Sequence, residues 1–117
     1  MLFICYSRCS TCKKAQKFLD DNHIDYDYRD IKENNPSHEE LETWYRNSNL
    51  EIKKFFNTSG QLYKSMNLKE VIPNNSLEDN LKLLASDGML VKRPLLIDGD
   101  KVIVGFKEAE YKEYLNL

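Results

Sequence analysis

The spacing of apolar residues changes period twice within the first forty positions. Leu2 to Tyr6 form a short apolar run with aromatic and branched members, bounded by Ser7 and Arg8, and predict a buried strand. From about Ser10 to Asn22, Ala15, Phe18 and Leu19 recur at helical spacing with no Gly or Pro between them. Ile24, Tyr26 and Tyr28 then alternate with Asp25, Asp27 and Arg29, the period of a strand ending near Asp30 or Ile31. Strand, helix and strand in this order predict a β-α-β unit with parallel strands.

The middle of the chain reads as helical. Asn34, Asn35 and Pro36 interrupt the pattern, and Ser37 followed by Glu40 has capping-box spacing for a helix to about Arg46 with Leu41, Trp44 and Tyr45 on its apolar face. A short helix with Ile52, Phe55 and Phe56 precedes the turn-like Asn57-Thr58-Ser59-Gly60. After Pro73-Asn74-Asn75, Ser76 can cap a helix that carries Leu77, Leu81 and Leu84 and ends at Asp87-Gly88. Leu95 to Ile97 and Val102 to Val104 flank Asp98-Gly99-Asp100 as a hairpin, and a last helix is expected from about Lys107 to Leu115. The expected architecture is α/β, one domain over residues 1–117: β-α-β over 1–32, a helical insertion over 33–90 and β-β-α over 91–117 around a mixed central sheet.

Composition narrows the class. The 117 residues are 41% apolar and 31% charged, with seven Tyr, five Phe and one Trp, too much to bury for a disordered chain. No apolar run approaches the length of a membrane helix, and charges that follow the first apolar run are the reverse of a secretory signal, so a cytoplasmic protein without membrane contact is expected. A net charge of −2 argues against direct nucleic-acid binding. That total hides a polarity: residues 1–19 carry Arg8, Lys13, Lys14 and Lys17 with no acid, whereas residues 20–51 carry ten acids. All three cysteines lie in the acid-free stretch.

Cys9-Ser10-Thr11-Cys12 stands where the first strand hands over to the first helix. A helix start offers free N–H groups and partial positive charge, which favour a thiolate at Cys9, with Arg8, Lys13 and Lys14 expected to add to the field. Cys12, one turn on, can close a disulfide with Cys9, so that Cys9 attacks and Cys12 resolves. The N–H groups of Ser10 and Thr11 would complete an anion-accepting loop. A vestigial pair and a metal site are the rival readings. Zinc would have to recruit Cys5, His23 or His38, but there is no second CxxC and no HxxxH, and no metal or cofactor is expected. Cys5, inside the apolar strand, reads as a small buried hydrophobe rather than a third redox partner. In Val91-Lys92-Arg93-Pro94, a cis bond would let Arg93 face Cys9, although from the residues alone a trans proline and a solvated arginine is the more common arrangement.

Four segments in order, Cys9-Ser-Thr-Cys12-Lys-Lys-Ala, Phe56-Asn-Thr-Ser-Gly60-Gln-Leu-Tyr63-Lys, Arg93-Pro94-Leu-Leu-Ile-Asp98 and Val104-Gly105-Phe106-Lys-Glu108, resemble the arsenate reductase and Spx family over essentially the whole length. The resemblance implies a thioredoxin-like fold, a cis proline at Pro94 and a site formed by Cys9, Cys12 and Arg93. In the glutaredoxin-coupled arsenate reductases of this fold three arginines hold the oxyanion. Here only Arg93 has a match, while Asn57 and Gly105 stand at the other two positions. The CxxC pair is similar to that of Spx, a redox-sensing regulator that binds the carboxy-terminal domain of the RNA polymerase α subunit. The Asn57–Gly60 run is closer to arsenate-reductase-like relatives than to Spx. The resemblance thus implies a monomeric thiol-disulfide oxidoreductase that draws electrons from thioredoxin, glutaredoxin or glutathione. The alternatives are an Spx-like regulator and a redox-inert binding module.

Overall fold

The computed structural model describes residues 1–117. The chain opens with strand β1 (Leu2–Cys5), helix α1 (Ser10–Asp21) and strand β2 (Asp27–Asp30). Helices α2 (His38–Ser48), α3 (Gln61–Ser65), α4 (Leu68–Asn74) and α5 (Leu77–Ser86) follow, with 3-10 turns at Ile52–Phe55 and Gly88–Leu90. Strands β3 (Leu95–Asp98) and β4 (Lys101–Val104) and helix α6 (Glu108–Leu115) complete it. The sheet runs β2-β1-β3-β4, with β1 and β2 parallel and both remaining pairs antiparallel. The expected mixed sheet is therefore present.

Alternation along the strands divides the interior in two, because successive side chains point to opposite faces. Ile4, Leu95, Ile97 and Val102 face the helical insertion and pack with Leu41, Trp44, Phe55, Phe56, Leu81 and Leu84. Phe3, Cys5, Leu96 and Ile103 face the other way, onto Cys12, Ala15 and Leu19 of α1 and Tyr111 of α6. Tyr111 is fully buried and stands edge-on to Phe106 and Phe18, with centroids 4.8 and 6.0 Å away, which fastens α6 to α1. Helices thus cover both faces, and the head of α1 lies at the end of β1.

Local signals account for most boundaries. The Ser37 hydroxyl accepts from the Glu40 N–H at 3.1 Å and the Glu40 carboxylate accepts from the Ser37 N–H at 3.0 Å, which completes the capping box of α2. Arg29 of β2 grips the same Glu40 through two bonds of 2.7 and 2.9 Å and ties the edge strand to α2. Gly99, at φ +60°, turns the hairpin that pairs Asp98 with Lys101. Two details depart from the pattern. Pro73 lies inside the last turn of α4 rather than beyond a helix, and the Asn74 side chain donates to the Glu70 carbonyl at 2.8 Å in that turn. Leu77, at the first position of α5, is 43% exposed and takes no part in the face made by Leu81 and Leu84.

Candidate active site

Cys9 is the N-cap of α1, with extended backbone angles, and its own N–H donates to the Tyr6 carbonyl at 2.9 Å in the turn that leaves β1. Of the three cysteines, all free thiols, Cys9 is half-buried whereas Cys5 and Cys12 are buried. The short link from β1 to α1 thus leaves one sulfur at the surface and places its neighbours beneath it. Ser10 and Thr11 begin the helix between the two cysteines of the motif, Ser10 exposed and Thr11 half-buried.

Burial opposes ionisation of Cys9, but hydrogen bonds from the Cys12 N–H, the Cys12 thiol and the Arg93 guanidinium, together with the charge of Arg93, outweigh it and lower the pKa. The expected help from Arg8, Lys13 and Lys14 is not among the causes. All three are exposed, and solvent screens them. The cation that matters comes from the far end of the chain.

Arg93 reaches Cys9 because its loop is held from two sides. The Lys92 N–H donates to the Phe55 carbonyl at 2.7 Å, the Asn57 N–H to the Leu90 carbonyl at 2.8 Å, and Phe56 pairs with Val91 in an isolated antiparallel bridge. Across from these, the Gly105 N–H donates to the Pro94 carbonyl at 2.8 Å. Gly105 has φ +80°, a conformation open to glycine at little cost, which gives the residue a backbone role. The Arg93–Pro94 bond is cis and Pro94 is buried. The guanidinium lies 5.4 Å from the centroid of the Tyr6 ring and donates to the Met89 carbonyl at 3.3 Å. Asn57 accepts from the Ser59 hydroxyl at 3.2 Å within its own turn.

Cys12 is held differently. Its sulfur accepts the Tyr6 N–H at 3.3 Å, and the influence of the Cys5 thiol together with burial pushes its pKa far up. Tyr6, which serves both Cys12 and Arg93, escaped the sequence reading. Its only signal is its position as the last apolar residue before the cysteine loop. One other cluster has ligand chemistry: ligand atoms of His38, Glu42 and Glu78 lie within 4.8 Å of one another. These groups already face other partners: His38 Nε2 lies 2.9 Å from a Glu78 carboxylate oxygen and Glu42 pairs with Arg46, and neither cysteine of the motif belongs to the cluster.

A mixed four-stranded sheet covered on both faces, a cysteine pair at the head of the first helix and a cis-proline loop against it define a thioredoxin-like protein of the ArsC type. The model of the ArsC family matches residues 5–114, and the chain belongs to that family. It is 50% identical over 113 residues to the uncharacterized protein YusI of Bacillus subtilis, across 97% of this chain and 96% of that one. An ArsC family related protein from Bacteroides fragilis superposes with a TM-score of 0.93 at 47% identity, over 96% of this chain and 94% of its own. Global transcriptional regulator Spx 2 of Bacillus anthracis is 26% identical over 107 residues, 92% of this chain and 80% of the relative. No helix is long and apolar enough to cross a membrane.

Proposed function

We propose that this chain is a thiol-disulfide oxidoreductase in which Cys9 attacks and Cys12 resolves. One observation carries the reading: the sulfur at the head of α1, the one of the three that is not buried, is stabilised as a thiolate by the Cys12 N–H and by Arg93. The Cys9 thiolate attacks one sulfur of a substrate disulfide, a mixed disulfide forms and the second substrate sulfur leaves as a thiolate. Arg93 and the N–H groups at the start of α1, those of Ser10 and Thr11 among them, offset the negative charge there. Cys12 then attacks the Cys9 sulfur, the Cys9–Cys12 bond forms, and the Cys12 proton goes to the departing substrate sulfur. Thioredoxin, glutaredoxin or glutathione returns the dithiol, which suits a reducing, cytoplasmic setting. Because burial and Cys5 keep Cys12 protonated, it does not compete with Cys9 for the first attack.

Arsenate is disfavoured as substrate, since Asn57 and Gly105 supply neither of the two further guanidinium groups that hold the oxyanion in the arsenate reductases. The test is reduction of a glutathione mixed disulfide with each of the three reductants. Cys9→Ser abolishes turnover on this reading, and turnover retained without Cys9 rejects it. The alignment with Spx 2 over 92% of this chain favours one second reading, a redox-switched regulator that docks on the RNA polymerase α subunit. Absence of binding to the α carboxy-terminal domain in both redox states removes it.

A further inference from the structure

β4 is the last strand of the sheet, and its outer edge pairs with no other strand. The Gly105 N–H donates to the carbonyl of Pro94, the residue opposite it, and hydrogen-bonded pairs alternate with non-bonded ones along an antiparallel ladder. Ile103 and Lys101 therefore bond to β3, while the N–H and C=O groups of Val102 and Val104 point away from it. No other backbone group of the chain takes them up.

A groove of about 980 Å³ lies along this edge, lined in part by Lys101 to Val104. Lys53 and Lys54 from the 3-10 turn, Lys92 from the loop before β3, Lys101 from β4 and Lys107 from the cap of α6 converge on it. None of these five forms an ion pair, whereas Lys17 and Lys112 elsewhere do. Three glutamates, Glu51, Glu110 and Glu113, share the lining, so a chain of net charge −2 carries a local excess of positive charge here.

We infer that the β4 edge is a docking site for an extended acidic segment of a partner protein, which enters the groove and adds a fifth strand to the sheet. Main-chain bonds to Val102 and Val104 hold the segment whatever its sequence, and the lysines select its charge. The two faces of the sheet set the pattern. Val102 and Val104 point toward the helical insertion, the side of Lys53 and Lys54, and Ile103 points toward the side of α6, which carries Glu110 and Glu113. Side chains of an added strand alternate in the same way. Carboxylates at every second position then meet Lys53 and Lys54, with uncharged residues between them facing α6.

Lysines also guard free edges against unwanted pairing. A guard belongs on the edge strand itself, where only Lys101 stands; the other four lysines come from segments outside it and border the space a new strand would fill. A second copy of this chain is a poor occupant, because pairing two β4 edges brings both sets of lysines together. Docking here needs no chemistry at Cys9.

The test is NMR of the isotope-labelled full chain with a capped peptide of alternating glutamate and threonine. Saturating peptide should slow amide exchange at Val102 and Val104 roughly threefold or more, as new hydrogen bonds form there. The same peptide with glutamine for glutamate should bind roughly tenfold more weakly, as should the acidic peptide to Lys53→Glu combined with Lys54→Glu. Methylation of the peptide amides that face β4 should remove the protection, because the ladder cannot form. Unchanged exchange at both valines, equal binding of the glutamine peptide, or full protection by the methylated one overturns the proposal. So does a stronger response to a single-stranded DNA oligonucleotide than to the peptide, or protection that rises with protein concentration alone, which would make a second copy the occupant.

Discussion

The guanidinium of Arg93 rests against the ring of Tyr6, 5.4 Å from the centroid, and its charge favours the thiolate of Cys9. A cation fixed in this way stabilises the thiolate more than a mobile surface lysine does, because its geometry is set before the proton leaves. The contact joins the first loop of the chain to the loop before β3, and both are pinned by backbone hydrogen bonds.

Arg93→Ala therefore raises the Cys9 pKa toward that of a free thiol. The expected result is a roughly three- to tenfold slower alkylation of Cys9 by iodoacetamide near neutral pH, with Arg93→Lys in between. The rate is read on the Cys9 peptide as a function of pH. An unchanged pH profile in Arg93→Ala would remove the arginine from the site.

The Arg29–Glu40 clamp predicts an acid-sensitive part of the stability. Arg29 first, and the Ser37 N–H after it, hold the Glu40 carboxyl at about 2 against an ordinary value of 4.5, despite partial burial. A carboxylate with a depressed folded pKa stabilises the protein above its unfolded value, and the contribution fades as pH falls from 4.5 toward 2. Discounted for solvent at a side chain 35% exposed, Glu40→Gln costs about 1 to 2 kcal/mol at neutral pH. Urea denaturation at pH 7 and pH 3 checks this: the gap between wild type and variant narrows at the lower pH. A gap that stays constant contradicts it.

Gly88 packs where no Cβ fits. A methyl group built there would lie 1.8 Å from the Ile31 carbonyl oxygen and 3.1 Å from the Asn35 Cβ. Gly88→Ala should therefore cost about 2 kcal/mol or more, because backbone rather than a flexible side chain must give way. Thermal unfolding measures it, and an unshifted midpoint would mean that the 3-10 turn at Gly88–Leu90 moves freely away from Ile31.

Gly88 also marks the limit of what could be read before the structure. At Asp87-Gly88 the local pattern says only that a helix ends; the close approach to Ile31 involves a distant segment and leaves no local trace. The same division runs through the site. The helix start at Cys9, the Ser37–Glu40 box and the Asp98–Asp100 turn are local events, written in neighbouring residues, and the structure places them within a residue or two of expectation. The charge on Cys9 is a tertiary property. The basic residues nearest in sequence point into solvent, and Arg93 is delivered by a loop whose course depends on Phe55, Phe56 and Gly105. The meeting of Cys5 and Cys12 in one buried cluster likewise needs the strand and the helix to pack, so the apolar run alone marks Cys5 as core and nothing more.

The division of roles between Cys9 and Cys12 is tested most directly by trapping the intermediate. Cys12→Ser, incubated with oxidised glutathione and mapped by mass spectrometry, should accumulate one glutathione on Cys9 that persists until an external thiol is added. Rapid loss of the adduct with a Cys5–Cys9 bond in its place, or an adduct on Cys5 with Cys9 untouched, would contradict Cys9 as the attacking thiol and Cys12 as the one that resolves it.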